Sequence, residues 1–135
     1  MPIEYTIDVA RGFIYTRGWD YIGNQEYQTY IANLFADPAL RPGMKQLTDW
    51  RAVTHMDVTA QTIRATAETV QAFVERQRHQ SNFTNYQLAI VSPQLVIYGL
   101  SRMYQMLSEE HDPNVAVFRD IDEARAWLGL APNEE

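Results

Sequence analysis

Residues 86–107 read YQLAIVSPQLVIYGLSRMYQML. The run from Tyr86 to Val91 has the length and apolar content of a buried strand, and the residues after it carry helical spacing. Between them, Ser92 suits an N-cap and Pro93 the first helical position, which predicts a helix from Pro93 to about Glu110. A buried strand that runs directly into a helix is the repeating unit of an α/β domain. On that helix Val96, Gly99, Leu100, Met103 and Leu107 make a complete core stripe, with Gly99 allowing close approach to the sheet. Leu95, Ile97, Tyr98 and Tyr104 are then surplus. A helix apolar nearly all round must be covered, and the cover is another element of this chain, a second subunit or an apolar ligand.

Outward from this unit the alternation of strands and helices continues. Ile3, Tyr5, Ile7 and Val9 alternate with polar residues, and a short turn around Gly12 joins them to a second strand over 13–19, which predicts an antiparallel hairpin. From Asn24, placed as N-cap with Ile22 as a staple, the period changes, and Tyr27, Tyr30, Ile31, Leu34 and Phe35 share one helical face until Asp37-Pro38. A third strand follows over 44–50, a long helix over 59–79, a polar loop over 80–85, and a fifth strand over 114–118. The last helix is bounded by Asp120 as cap and Gly129 as stop, with Ile121, Ala124, Trp127 and Leu128 on its apolar side.

The expected fold is therefore a single α/β domain over 1–130, followed by a short acidic tail over 131–135. Its mixed five-stranded sheet has an N-terminal antiparallel hairpin and otherwise parallel strands, with four helices. In that plan the C-terminal strand ends share one rim, with Trp19, Asp49 to Arg51, Ser92, Arg119 and Asp120 facing the helix N-termini, where anions are favoured. Phe13, Tyr15 and Trp50 are strand aromatics suited to a sheet face without helices.

Composition narrows the function classes. In 135 residues, 46% are hydrophobic and 21% charged, the balance of a folding domain. A net charge of −6 argues against general nucleic-acid binding, whose affinity comes from cations replacing phosphate counterions. There is no cysteine, so no disulfide and no thiolate chemistry. The first residues lack signal-peptide character and no apolar run approaches membrane-spanning length, so a cytoplasmic location without a membrane span is expected. His55, His79 and His111 lack metal spacing, and no metal or cofactor is expected. No G-x-S-x-G, phosphate-loop or G-x-G-x-x-G pattern occurs, and no nucleophile and base can be paired, so no enzymatic activity is expected.

Four stretches, the hairpin together with ADPALRPGMKQLTDWRAV at 36–53, LAIVSPQLVIYGLSRMYQML at 88–107 and VAVFRDIDEARAWLG at 115–129, resemble the SpoIIAA-like group of small α/β domains, which is related to STAS domains. The resemblance implies a mixed sheet with helices packed mainly on one side and no attached reaction. The group is also compared with lipid-binding domains of the CRAL-TRIO type. Antagonists of the STAS type carry a phosphorylatable serine in a segment resembling D-S-S-G. The corresponding residues here are Asp57, Val58, Thr59 and Ala60, so the expected serine is replaced by Val58 and the nearest hydroxyl is Thr59.

The functional expectation is a non-catalytic protein-interaction or regulatory domain, self-associating as a homodimer. The alternative is a binding module for a small amphipathic or anionic ligand at the rim. Candidate contacts are Ser92, Leu95, Tyr98 and Arg102, with Thr59 as candidate phosphosite, where added negative charge would meet the favourable end of a helix dipole.

Overall fold

The computed structural model describes residues 2–41, 43–80, 87–108 and 115–130. The expected strand start at Tyr86, the loop over 81–85, the helix end at Glu110, His111, Asn114 and the tail over 131–135 lie outside the described residues.

Strand β1 (Ile3–Asp8) pairs antiparallel with β2 (Phe13–Gly23), from Ile3 opposite Gly18 to Asp8 opposite Phe13. Gly12, at φ +63°, takes the left-handed conformation that this turn needs and that a side chain would disfavour. Helix α1 (Asn24–Ala36) then carries the chain to β3 (Lys45–Asp57), α2 (Ala60–Gln80) to β4 (Gln87–Val91), and α3 (Leu95–Ser108) to β5 (Val115–Phe118). The sheet order is β1-β2-β3-β4-β5, with every pair after the first parallel. Right-handed crossovers that always advance in the same direction place α1, α2 and α3 on one face. The last helix, α4 (Ile121–Leu128), follows the edge strand and covers the other face.

Two cores result. Ile14, Trp50, Leu88 and Ile90 of the sheet pack with Tyr27, Tyr30, Leu34, Ile63, Val70, Phe73 and Ile97 of the three helices. On the opposite face Phe13, Leu47, Ala89 and Val91 pack with Ala124 and Leu128 of α4. Both expected caps of α4 are present: Asp120 accepts from the Asp122 N–H at 2.9 Å, and Gly129 closes the helix at φ 78°.

Strands β2 and β3 run well past the expected ends near Trp19 and Trp50. They continue as a two-stranded ribbon to Gly23 opposite Asp57, through irregularities at Arg17/Trp19 and Asp20/Tyr21, with Asp20 at φ 56°. Bulges of this kind break the alternation that marks a strand in sequence. Near its tip Tyr21 stacks on His55 at 5.2 Å and donates to Asp57 at 3.1 Å. The expected N-cap Asn24 is instead the first helical residue. Gly23 is the cap, its N–H donating to Glu26 Oε1 at 3.0 Å, while the Asn24 side chain accepts from the Thr59 N–H at 3.1 Å.

The larger core contains a polar network. The Tyr30 and Thr16 hydroxyls lie 2.8 Å apart, and the Gln46 side-chain amide donates to Tyr30 at 3.1 Å and to Thr48 at 3.2 Å. All four residues are buried. Of the aromatics expected on an open face, only Tyr15 remains half-exposed. Phe13 lies under α4 and Trp50 under the three-helix layer.

Candidate functional site

Strand β4 ends at Val91, level with Asp49 and Phe118, and the Ser92 N–H extends the pairing by donating to the Phe118 carbonyl at 2.9 Å. Continuing the alternation of Leu88 and Ile90, Ser92 points into the three-helix side. It is fully buried, and among the described residues its hydroxyl has no hydrogen-bond partner. Pro93 restricts the residue before it to extended geometry, and the helix begins later than expected. The Gln94 carbonyl accepts the first helical bond, from Tyr98 at 2.8 Å, and the Gln94 side chain donates to the Val53 carbonyl at 2.9 Å. Gln94 therefore takes the capping place expected of Ser92, and it ties the start of α3 to the ribbon.

The buried stripe of α3 is rotated from the expected one, of which Leu107 still packs against the core and Leu100 is half-buried, while the Val96 side chain lies outside the described residues. Ile97, Ser101 and Tyr104 are buried, Ser101 returning its hydroxyl to the Ile97 carbonyl at 2.9 Å. Gly99 and Met103, expected against the sheet, face outward, and an added Cβ at Gly99 would meet nothing within 4 Å. The exposed residues Leu95 (73%), Gly99, Met103 (37%) and Met106 (63%) form one stripe along the helix. Of the expected contacts, Leu95 belongs to this stripe and Arg102 borders it, donating to Gln105 at 3.0 Å. Tyr98 is half-buried beneath the Arg119 guanidinium, 5.7 Å from its ring centre, and Arg119 also donates to the Pro93 carbonyl at 2.8 Å. Thus Leu95, Tyr98 and Arg102 share the outer half of α3, whereas Ser92 sits below it.

A second polar cluster lies where α4 leaves the sheet uncovered. Asp49, only 3% exposed, accepts two bonds from the Arg51 guanidinium at 2.9 and 2.8 Å, one from the Arg51 N–H at 3.0 Å and one from the Tyr15 hydroxyl at 2.9 Å. Burial pushes the Asp49 carboxyl up, but these donors outweigh it and hold the group below the ordinary carboxylate range. Beside it Arg17 is held by Glu4 at 2.9 Å and lies over Trp19. The cluster presents two braced guanidiniums above an ionised carboxylate. Each guanidinium is paired with a carboxylate, Arg51 with Asp49 and Arg17 with Glu4, so the charges balance within the cluster. Tyr15 is 34 residues from Asp49, and no local pattern in the sequence joins them.

No protein-family model matches the sequence, and no curated protein matches it either. Among solved structures, the chain is similar to an uncharacterized protein of the DUF3478 family with a SpoIIAA-like fold from Shewanella loihica PV-4. The TM-score is 0.50 at 13% identity, over 93% of each chain. The chain has a SpoIIAA-like fold.

Within this SpoIIAA-like fold, Val58 is buried in the core, and Thr59 is exposed at the start of α2. The Thr59 hydroxyl accepts from the Thr62 N–H at 3.2 Å, an N-capping bond. The helix has no acidic residue in its first turn, so a charge added at Thr59 would meet an uncompensated dipole end. Among the described residues, no group of three His, Asp or Glu side chains is placed to hold a metal ion. Among them, too, no helix is long and apolar enough to cross a membrane.

Proposed function

We propose that this chain is a cytosolic, non-catalytic interaction domain that self-associates through the outward face of α3. The observation that carries the reading is the exposed stripe of Leu95, Gly99, Met103 and Met106. A two-fold interface brings the same patch of both subunits together, so a stripe that runs the length of a helix can meet its own copy. Gly99 lets two helices approach closely at mid-stripe, and the unbranched methionines adapt to the facing surface. The chemistry of the polar residues agrees with a non-catalytic role. Ser92 is fully buried, and Asp49 is held ionised by Arg51.

Sedimentation velocity across a concentration series tests this directly. The wild type is expected to form a dimer, and a Leu95→Arg/Met103→Arg double variant to sediment as a monomer with unchanged circular dichroism. A wild type that remains monomeric at millimolar concentration contradicts the reading.

The second reading, a small amphipathic or anionic ligand at the rim, is supported by the exposed Arg119, which lies over Tyr98 and donates to the Pro93 carbonyl at the start of α3. Regulation by phosphate is supported by the exposed Thr59 hydroxyl at the α2 N-terminus. Intact mass spectrometry of the protein purified from its own host separates the two. A rim ligand appears as an adduct lost on denaturation and on Arg119→Ala substitution, and a phosphate as a covalent mass mapped to Thr59. A bare chain removes both.

A further inference from the structure

The outer side of β1 is an open ladder. The Trp19 N–H donates to the Pro2 carbonyl at 3.0 Å and the Lys45 N–H to the Gly12 carbonyl at 2.9 Å, so odd-numbered residues of β2 turn their backbone groups to β1 and even-numbered ones to β3. In the register of the hairpin, with Thr6 opposite Tyr15, it is then Glu4, Thr6 and Asp8 that bond to β2. The N–H and C=O groups of Ile3, Tyr5 and Ile7 point away from the sheet. Among the described residues nothing bonds to them.

Edges of this kind are normally blunted by a bulge, a proline or a covering loop. From Ile3 to Asp8 the strand contains no proline, and its register with β2 is unbroken. The two faces of the edge differ. On the helix side Tyr5 and Ile7 are half-buried at the margin of the larger core. On the other side Glu4, Thr6 and Asp8 form a row, with the Glu4 and Asp8 side chains 57% and 44% exposed. Arg17 holds Glu4 from the β2 side and Arg11 holds Asp8 from the turn, so the charge that an incoming strand meets first is acidic.

We propose that the β1 edge is a docking site for an extended segment of another protein in which apolar and basic residues alternate. Antiparallel addition lengthens the sheet by one strand. The apolar residues stand opposite Ile3, Tyr5 and Ile7, in the hydrogen-bonded pairs, and cover the margin of the core. The basic residues stand opposite Glu4, Thr6 and Asp8, in the pairs whose side chains lie closest, and continue the alternation of charge that runs from Arg17 to Glu4. A second copy of β1 fits this edge less well, because it brings its own glutamate and aspartate to an acidic row. The site does not depend on self-association: β1 is the sheet edge opposite β5, against which α3 packs.

The test titrates two peptides blocked at both ends, KVKVKVK and EVEVEVE, into the whole protein, both wild type and Leu95→Arg/Met103→Arg, and follows ¹H–¹⁵N correlation spectra and amide exchange. Without peptide, the amides of Ile3, Tyr5 and Ile7 should exchange quickly and those of Glu4, Thr6 and Asp8 slowly. KVKVKVK is expected to bind both proteins alike, with a dissociation constant of about 1 mM or tighter, and to slow exchange at Ile3, Tyr5 and Ile7 by at least about tenfold. EVEVEVE should bind at least about tenfold more weakly. Methylating the valine nitrogens, which donate to β1, should abolish binding, whereas methylating the outward lysine nitrogens should change it by less than about twofold. Glu4→Gln/Asp8→Asn should weaken KVKVKVK by about three- to tenfold. The proposal is overturned by a lack of saturable binding, by equal affinity for the two peptides, or by undiminished binding of the valine-methylated peptide. Slow exchange at Ile3, Tyr5 and Ile7 in the peptide-free Leu95→Arg/Met103→Arg variant also overturns it, since this chain itself would then occupy the edge.

Discussion

Replacing Trp50 by alanine lowers the unfolding free energy by about 3–5 kcal/mol, a large part of the roughly 5–15 kcal/mol of a domain this size. Trp50 is 5% exposed and meets Tyr30 edge-on, with ring centres 6.4 Å apart at 82°. Its six-membered ring lies over Gly18, where an added Cβ would come within 2.7 Å of Trp50 Cζ3 and 2.8 Å of the Ile22 side chain. The tryptophan thus fills a space that β2 leaves open by having no side chain there. Alanine would create a void between two hydrogen-bonded strands that cannot collapse into it, and the void would merge with a cavity of about 40 Å³ above the Gln46 network, which Trp50 also lines. Urea unfolding followed by circular dichroism checks this, with half-buried Trp127→Ala as the control of smaller effect. A loss below about 1.5 kcal/mol would mean that Trp50 is not the plug the geometry makes it.

The second large effect is expected in alkali. Burial pushes the Tyr27 hydroxyl up to about 12, partly offset by its bond with Thr66. Burial and then the Asp37 carboxylate push Tyr5 up to about 12 as well, and burial raises Tyr30 further. In the unfolded chain tyrosine ionises near 10, so the folded state holds these protons more tightly. Their contribution to stability is complete below pH 10 and is lost as pH rises toward 12 and beyond, at about 1.4 kcal/mol for every tenfold gain in a buried hydroxyl's hold on its proton. Tyr5 contributes less, because solvent screens it. Tyrosinate absorbance from Tyr27 and Tyr30 should therefore appear only together with loss of native ellipticity, and Tyr27→Phe should move the alkaline midpoint upward. Full tyrosine ionisation with an intact far-ultraviolet spectrum would contradict this.

Much of the fold is legible in the sequence because its signals are local. The alternation from Ile3 to Ile7, the Asp120 and Gly129 caps and the strand-to-helix junction at Val91 each lie within a few residues. The ribbon beyond Trp19 and Trp50 is not legible, since bulges and a left-handed Asp20 disturb its period, and its partners are brought together only by pairing. The rotation of α3 is hidden for another reason. With apolar residues on nearly every side, two stripes fit helical spacing equally well. The true one runs through Ser101, which enters the core because its hydroxyl returns to the helix backbone. Of the residues singled out on α3, Leu95 and Arg102 face outward, while Ile97 and Tyr104, surplus on the sequence pattern, are buried in the core. The Tyr15–Asp49–Arg51 cluster depends on register between strands and left only the two-residue spacing of Asp49 and Arg51 to be noticed.

The most direct test of self-association through α3 is the single substitution Gly99→Ala, read in two ways. Among the described residues a methyl group there meets nothing within 4 Å, and alanine is favoured over glycine in a helix by about 1 kcal/mol. The folded protomer should therefore become more stable, by up to about 1 kcal/mol. A pair of α3 helices meeting at Gly99 would be forced apart, so the dimer dissociation constant from sedimentation equilibrium should rise by about tenfold or more. Higher thermal stability together with weaker self-association is the predicted result. Higher thermal stability with an unchanged dissociation constant, or with no dimer in either protein, would contradict the central claim.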